Sequence, residues 1–154
     1  MKRIGVFDSG IGGLTVLEEL KIVLPNEDYL FYADSKNCPY GEKSDTELYD
    51  ITSNIVDYLI DRECKIIVIA CNTATTRCIK YLRDKYKDKE IDAIVLGCTH
   101  YPHIKDLISK YFTNAELLDG GAGVARETKR QLERMNMLGT GLSPVVEIVN
   151  SLDM

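Results

Sequence analysis

Two stretches of the chain repeat one pattern. Ile67-Val68-Ile69-Ala70-Cys71-Asn72-Thr73 and Ile94-Val95-Leu96-Gly97-Cys98-Thr99-His100 each run through three aliphatic residues, a small residue, a cysteine and two hydrogen-bonding residues. Aliphatic runs of this kind read as buried strands, so each cysteine stands where a strand ends and the next helix starts. Amides at a helix N-terminus stabilise a thiolate, which makes such a thiol a candidate base near neutral pH. Two of them facing one pocket suit racemisation without a cofactor. One thiol takes a proton from a carbon acid on one face, and the other delivers a proton on the opposite face. The α-proton of an amino acid is very weakly acidic, so the site must also stabilise the developing carbanion. Asp8 and His100 are candidates to assist the thiols. Ser9, Asn72, Thr73 and Thr99 are candidates to hold carboxylate and ammonium groups by directed hydrogen bonds.

Each residue also has a plainer reading. Cys38, Cys64 and Cys78 lack a paired motif, and an isolated cysteine is usually a small buried hydrophobe. Asp8 could simply cap the following helix. His100 could be a satisfied turn residue, and His103 reads as a surface residue. The Gly10-Ile11-Gly12-Gly13 turn lacks the Lys of a phosphate loop and the spacing of a dinucleotide fingerprint. No ligand cluster has metal-site spacing, so no metal is implied. No pyridoxal cofactor is implied either, because two thiols make one unnecessary and no Lys follows a strand in the expected pocket.

The elements that must position these residues alternate in type. Strands are expected at 2–7, 28–33, 65–70 and 91–97, with a short one at 115–118 and an edge strand at 145–150. Helices are expected from Leu14 to Leu24, from a Ser44/Glu47 capping box through Leu59, from Ala74 to about Asp88, over 103–112, and from the Gly120–Gly123 run to about Met135. This alternation predicts an α/β fold, a doubly wound and mostly parallel sheet in a single three-layer domain. In such sheets ligands bind beyond the carboxyl ends of the strands. Asp8-Ser9, Asp34, Cys71-Asn72-Thr73, Cys98-Thr99-His100 and Asp119 should therefore converge.

Composition bounds the rest. The 154 residues suffice for one domain. A net charge of −5 disfavours a nucleic-acid partner. No apolar run reaches the roughly 20 residues of a membrane span. The N-terminus meets Asp8 too soon for a signal peptide. Five cysteines with no CxxC pair argue against a disulfide scaffold. A cytoplasmic location follows as the expectation.

Four motifs, in order, resemble the cofactor-independent aspartate/glutamate racemases, and glutamate racemase in particular. They are Gly5-Val6-Phe7-Asp8-Ser9-Gly10-Ile11-Gly12-Gly13-Leu14-Thr15-Val16, Pro39-Tyr40-Gly41, Ala70-Cys71-Asn72-Thr73-Ala74 and Gly97-Cys98-Thr99-His100-Tyr101-Pro102; Leu118-Asp119-Gly120-Gly121 is a weaker fifth. The resemblance implies Cys71 and Cys98 as the catalytic proton carriers, assisted by Asp8 and His100. It implies Asp8, Ser9, Tyr40, Gly41, Asn72, Thr73, Thr99 and His100 as contacts to a glutamate substrate. It implies no cofactor, and a cytoplasmic role supplying D-glutamate for peptidoglycan and cell shape.

The resemblance also implies a missing part. Family members have two similar α/β domains with the active site between them. Here the helix ending near Lys89-Glu90 runs straight into Ile91-Asp92-Ala93, so residues 1–154 form one racemase-like domain, with the second largely absent at the 87–92 junction. If both cysteine-bearing strands join one sheet, the two thiols leave the same rim. A homodimer or domain swap would then be needed to restore a two-sided cleft. The alternatives are an inactive truncated or engineered derivative, and a module that only binds glutamate-like ligands.

Overall fold

The computed structural model describes residues 2–87, 94–96, 121–139, 141 and 144–154. Five strands form one sheet: β1 (Arg3–Asp8), β2 (Tyr29–Ala33), β3 (Cys64–Ile69), β4 (Ile94–Leu96) and β5 (Val146–Asn150). Their spatial order is β4-β3-β1-β2-β5, and every pairing is parallel. The helices are α1 (Leu14–Val23), α2 (Asp45–Asp61), α3 (Asn72–Tyr86) and α4 (Gly121–Arg134).

Side-chain alternation explains why this sheet is covered twice. Ile4, Val6, Phe31, Ile66 and Val68 pack with Leu17 and Leu20 of α1 and Leu132 of α4. Phe7, Leu30, Ile67 and Ile69 point the other way and pack with Leu48, Ile55 and Leu59 of α2 and Ile79 and Leu82 of α3. Strands apolar on both faces must be buried on both faces, which gives the expected three layers. β5 lies at one edge beside β2, as expected of an edge strand, with Ile148 59% exposed.

Local chemistry sets the boundaries. The Tyr29 hydroxyl donates to the Leu20 and Leu24 carbonyls at 3.0 and 2.7 Å, closing α1 just before Pro25. At the start of α2 the Ser44 hydroxyl accepts from the Glu47 amide and donates to the Glu47 carboxylate, each at 3.2 Å, so Ser44 caps the helix while Glu47 meets the hydroxyl rather than the Ser44 amide of a full capping box. α3 begins at Asn72, two residues earlier than the apolar pattern suggests. Cys71 keeps extended backbone, and its carbonyl already accepts from the Thr75 amide at 3.0 Å. The expected helix over 103–112 and strand over 115–118 lie outside the described residues. No helix among the described residues is long and apolar enough to cross a membrane.

Strand order locates the crevice. The chain leaves β1 toward β2 on one side, then returns over β1 to β3 on the other. The order therefore reverses between β1 and β3, and in open parallel sheets that is where ligands bind. β1 ends on Asp8, and β3 leads through Ala70 to Cys71.

Candidate active site

Asp8 organises the rim. One carboxylate oxygen accepts from the Gly13 amide at 2.7 Å, and the other from the Ser9 amide at 2.8 Å, with the Ser9 hydroxyl at 3.5 Å. The Cys71 thiol lies near enough to the same carboxylate to help lower its pKa, as the smallest of the influences on it. Asp8 does not cap α1 itself, whose N-cap is Gly13 without a side-chain cap; it holds the glycine turn that leads into the helix. Burial, the largest influence, pushes the Asp8 carboxyl above its ordinary value, against the lowering effect of these hydrogen bonds. A more basic carboxylate is a better acceptor for a thiol proton.

Raising that value has a stability consequence. A folded-state value above the unfolded one means that Asp8's contribution is fully present below the unfolded value and is lost as pH rises through the folded value. Wild type is therefore expected to gain stability over Asp8→Asn as pH falls from neutral toward the ordinary carboxylate range. Thermal melts of both proteins across that window check it. A constant difference in melting temperature would rule it out.

Gly13 must be glycine for packing. A Cβ there would sit 2.8 Å from the Ala70 Cβ and 2.9 Å from the Asp8 Cβ, so β1, β3 and the turn close on one point. Gly13→Ala is expected to cost about 1–3 kcal/mol, a melting temperature lower by roughly 3–10 °C, through forced separation of these strand ends. Gly10→Ala, where a Cβ meets nothing within 4 Å, is the control.

The rim carries a second buried carboxylate. Asp34 is 1% exposed and follows β2. It accepts from the Tyr40 hydroxyl at 2.6 Å and from the Asn37 amide at 3.0 and 3.1 Å, while its own amide donates to the Asp8 carbonyl at 2.9 Å. Burial first, then the bond to Asp34, holds the Tyr40 phenol well above its ordinary value, with the nearby Cys71 adding to the effect. Tyr40 therefore stays a protonated donor, held by Asp34. The sequence places Asp34 at this rim through its position after a strand, but assigns it no role.

The other expected residues fall as follows. Cys71 is 5% exposed at the start of α3. Ser9 and Thr73 are half-buried and Gly41 is exposed. Asn72 supplies the first residue of α3. Arg77 ties α3 to the turn after Gly41 through the Asp45 carboxylate at 2.7 Å and the Lys43 carbonyl at 2.7 Å. Cys98, Thr99 and His100 lie outside the described residues. Cys64 and Cys78 are buried thiols pushed up to about 11 by burial, which fits their reading as core residues, and Cys38 is exposed. No cluster of metal-ligating side chains occurs among the described residues.

Comparison with known proteins bears on the family and the fold. Glutamate racemase of Clostridium perfringens is 31% identical over 219 aligned positions, covering 87% of this chain and 84% of the relative. That of Clostridium novyi is 31% identical over 236 positions, covering 97% and 91%. Both spans exceed the 154 residues of the chain, so each alignment opens gaps in it. The structure of Francisella tularensis glutamate racemase in complex with D-glutamate superposes with a TM-score of 0.72 at 24% identity, covering 97% of this chain and 88% of that one. No family model matches. On the identity and extent of these relatives, the chain belongs to the glutamate racemases, a family of amino-acid racemases.

Proposed function

We propose that the chain moves the α-proton of glutamate by a cofactor-independent thiol mechanism, with Cys71 as the base on one face and Cys98 as the acid on the other. The observation that carries this is the Asp8–Cys71 contact at the β1/β3 switch point. Cys71, its proton shifted toward Asp8, takes the α-proton as a thiolate and becomes a thiol. The substrate carbon becomes a carbanion, and the Cys98 thiol returns a proton to its opposite face. The two thiols then exchange roles for the reverse reaction. Ser9, Gly41, Asn72, Thr73, Thr99 and His100 would hold the substrate's charged groups. Tyr40 supports the thiol from the Asp34 side. The product would feed peptidoglycan synthesis in the cytoplasm.

Register supports a structural corollary. Ile69 pairs with Leu96, and Cys71 and Cys98 each follow two residues later in the sequence. Two residues span at most about 7 Å, and neighbouring strands lie about 4.8 Å apart. β3 and β4 therefore end side by side at one rim of one sheet, and the chain leaves that rim toward Cys71 from the one and toward Cys98 from the other. We infer that the second domain of the family is largely absent at the 87–92 junction. On this reading a lone chain exchanges the α-proton from one face, and inversion requires a second copy to supply the facing wall.

Incubating the chain with L-glutamate in D2O, then measuring α-deuteration by NMR and enantiomer by chiral chromatography, tests this. Deuterated L-glutamate from monomer, with D-glutamate appearing as a dimer forms in sedimentation, is the expected result. Inversion by strictly monomeric protein would overturn the corollary. Glutamate binding with no exchange at any concentration would leave a binding-only module.

A further inference from the structure

A cavity of about 470 Å³ opens between β2, α2 and the C-terminal turn Ser151–Asp153, with Asp34 in its wall. That volume falls within the usual range for small-molecule sites. None of Asp8, Ser9, Gly41 or Cys71 lines it.

Its walls sort by chemistry. Tyr32 and Tyr58 meet edge to face with ring centroids 5.2 Å apart, and Ile51 and Ile55 extend the apolar side. The Arg62 guanidinium lies 3.5 Å over the Tyr58 ring and holds it in place. Asp34 puts one negative charge at the back. A carboxylate accepts, so Asn37 turns its amide nitrogen to Asp34, which leaves the Asn37 carbonyl oxygen without a donor among the described residues. Lys36 and Asn54 are exposed lining residues, and among the described residues neither side chain has a hydrogen-bond or ion-pair partner. The Lys36 amide is fixed by the Ser151 hydroxyl at 2.9 Å, which anchors this part of the wall.

A cavity that offers acceptors backed by a carboxylate, an unpaired ammonium with a carboxamide, and an aromatic wall complements a zwitterion with an apolar side chain. We propose that it binds a small apolar α-amino acid. The ligand ammonium sits toward Asn37 and Asp34, its carboxylate toward Lys36 and Asn54, and its side chain against Tyr32 and Tyr58. The site is distinct from the Asp8–Cys71 rim but shares Asp34 with it, so occupancy bears on the Asp34–Tyr40 hydrogen bond. The proposal does not depend on the racemase chemistry.

Calorimetric titration of the whole chain with L-phenylalanine tests it, with phenethylamine and 3-phenylpropionate as probes that each lack one charge. L-phenylalanine is expected to bind saturably, and each single-charge probe roughly tenfold more weakly, the loss of one charge-assisted contact. Lys36→Ala and Asn54→Ala change exposed side chains and should weaken L-phenylalanine similarly, whereas Cys71→Ala should leave it unchanged. Absence of saturable binding would overturn the proposal. So would equal binding of 3-phenylpropionate, or L-phenylalanine binding that is indifferent to both Lys36→Ala and Asn54→Ala.

Discussion

Cys71→Ala is expected to slow α-proton exchange of glutamate by roughly 10²–10⁴-fold, the usual contribution of a positioned general base. The thiol is the group at the β1/β3 switch point able to accept a carbon-bound proton, and it alone among the described cysteines contacts a carboxylate that can accept its own. Losing the sulfur leaves a small void at a residue only 5% exposed. The cost to folding should be about 1 kcal/mol, so the variant remains folded. Cys78→Ala separates chemistry from packing. Cys78 lies on the same helix, is fully buried, and its thiol is pushed up to about 11, so it is almost entirely protonated at neutral pH. Its removal should leave exchange near the wild-type rate. Equal losses in both variants would trace the effect to α3 packing. An unaffected Cys71→Ala rate would remove the thiol from the mechanism altogether.

The strands carrying these groups were readable because Ile66-Ile67-Val68-Ile69 is apolar at every position, which an exposed face would not tolerate. The cysteine after that run was readable for the same reason, since a strand must stop before Asn72 and Thr73 can begin a helix. The spatial order of strands was not readable. It depends on which side of the sheet each helix crosses, and no local pattern records that. Nor was the pairing of Tyr40 with Asp34, because five residues of loop separate them and only the folded 35–42 turns bring the phenol back to the carboxylate. Lys65 is the first residue of the strand expected at 65–70, and nothing local to it marks a partner. Between Arg3 and Ile4 the β1–β3 register shifts, pairing Arg3 with Cys64 but Ile4 with Ile66. Lys65 is the residue skipped, and such irregularities re-aim a side chain.

That re-aimed lysine carries the largest expected effect on stability. At the amino end of the sheet, Lys65 Nζ lies 2.7 Å from a Glu27 carboxylate oxygen, with side chains 5% and 2% exposed, and also donates to the Met137 carbonyl at 2.6 Å. The other Glu27 oxygen accepts from the Gly139 amide. The pair thus clasps the segment after α4 to the bottom of β2 and β3, opposite the candidate site. Its net worth relative to an apolar core is small, because both charges have left water. Breaking it is a different matter. Lys65→Met leaves the Glu27 carboxylate buried without a counter-charge, and is expected to cost about 3–5 kcal/mol, a melting temperature lower by roughly 6–20 °C. Adding Glu27→Gln removes the orphaned charge while its amide oxygen still accepts from Gly139, so the double variant should recover at least half of that loss. Denaturant melts of wild type, both single variants and the double variant give the coupling directly. A Lys65→Met cost under about 1 kcal/mol would show that water reaches Glu27 and that the clasp is not closed in solution. Gly139 adds an independent check, because a Cβ there would lie 2.7 Å from the Glu27 carboxylate. Gly139→Ala should therefore destabilise wild type more than it destabilises the double variant, whose neutral side chain can move aside without stranding a charge.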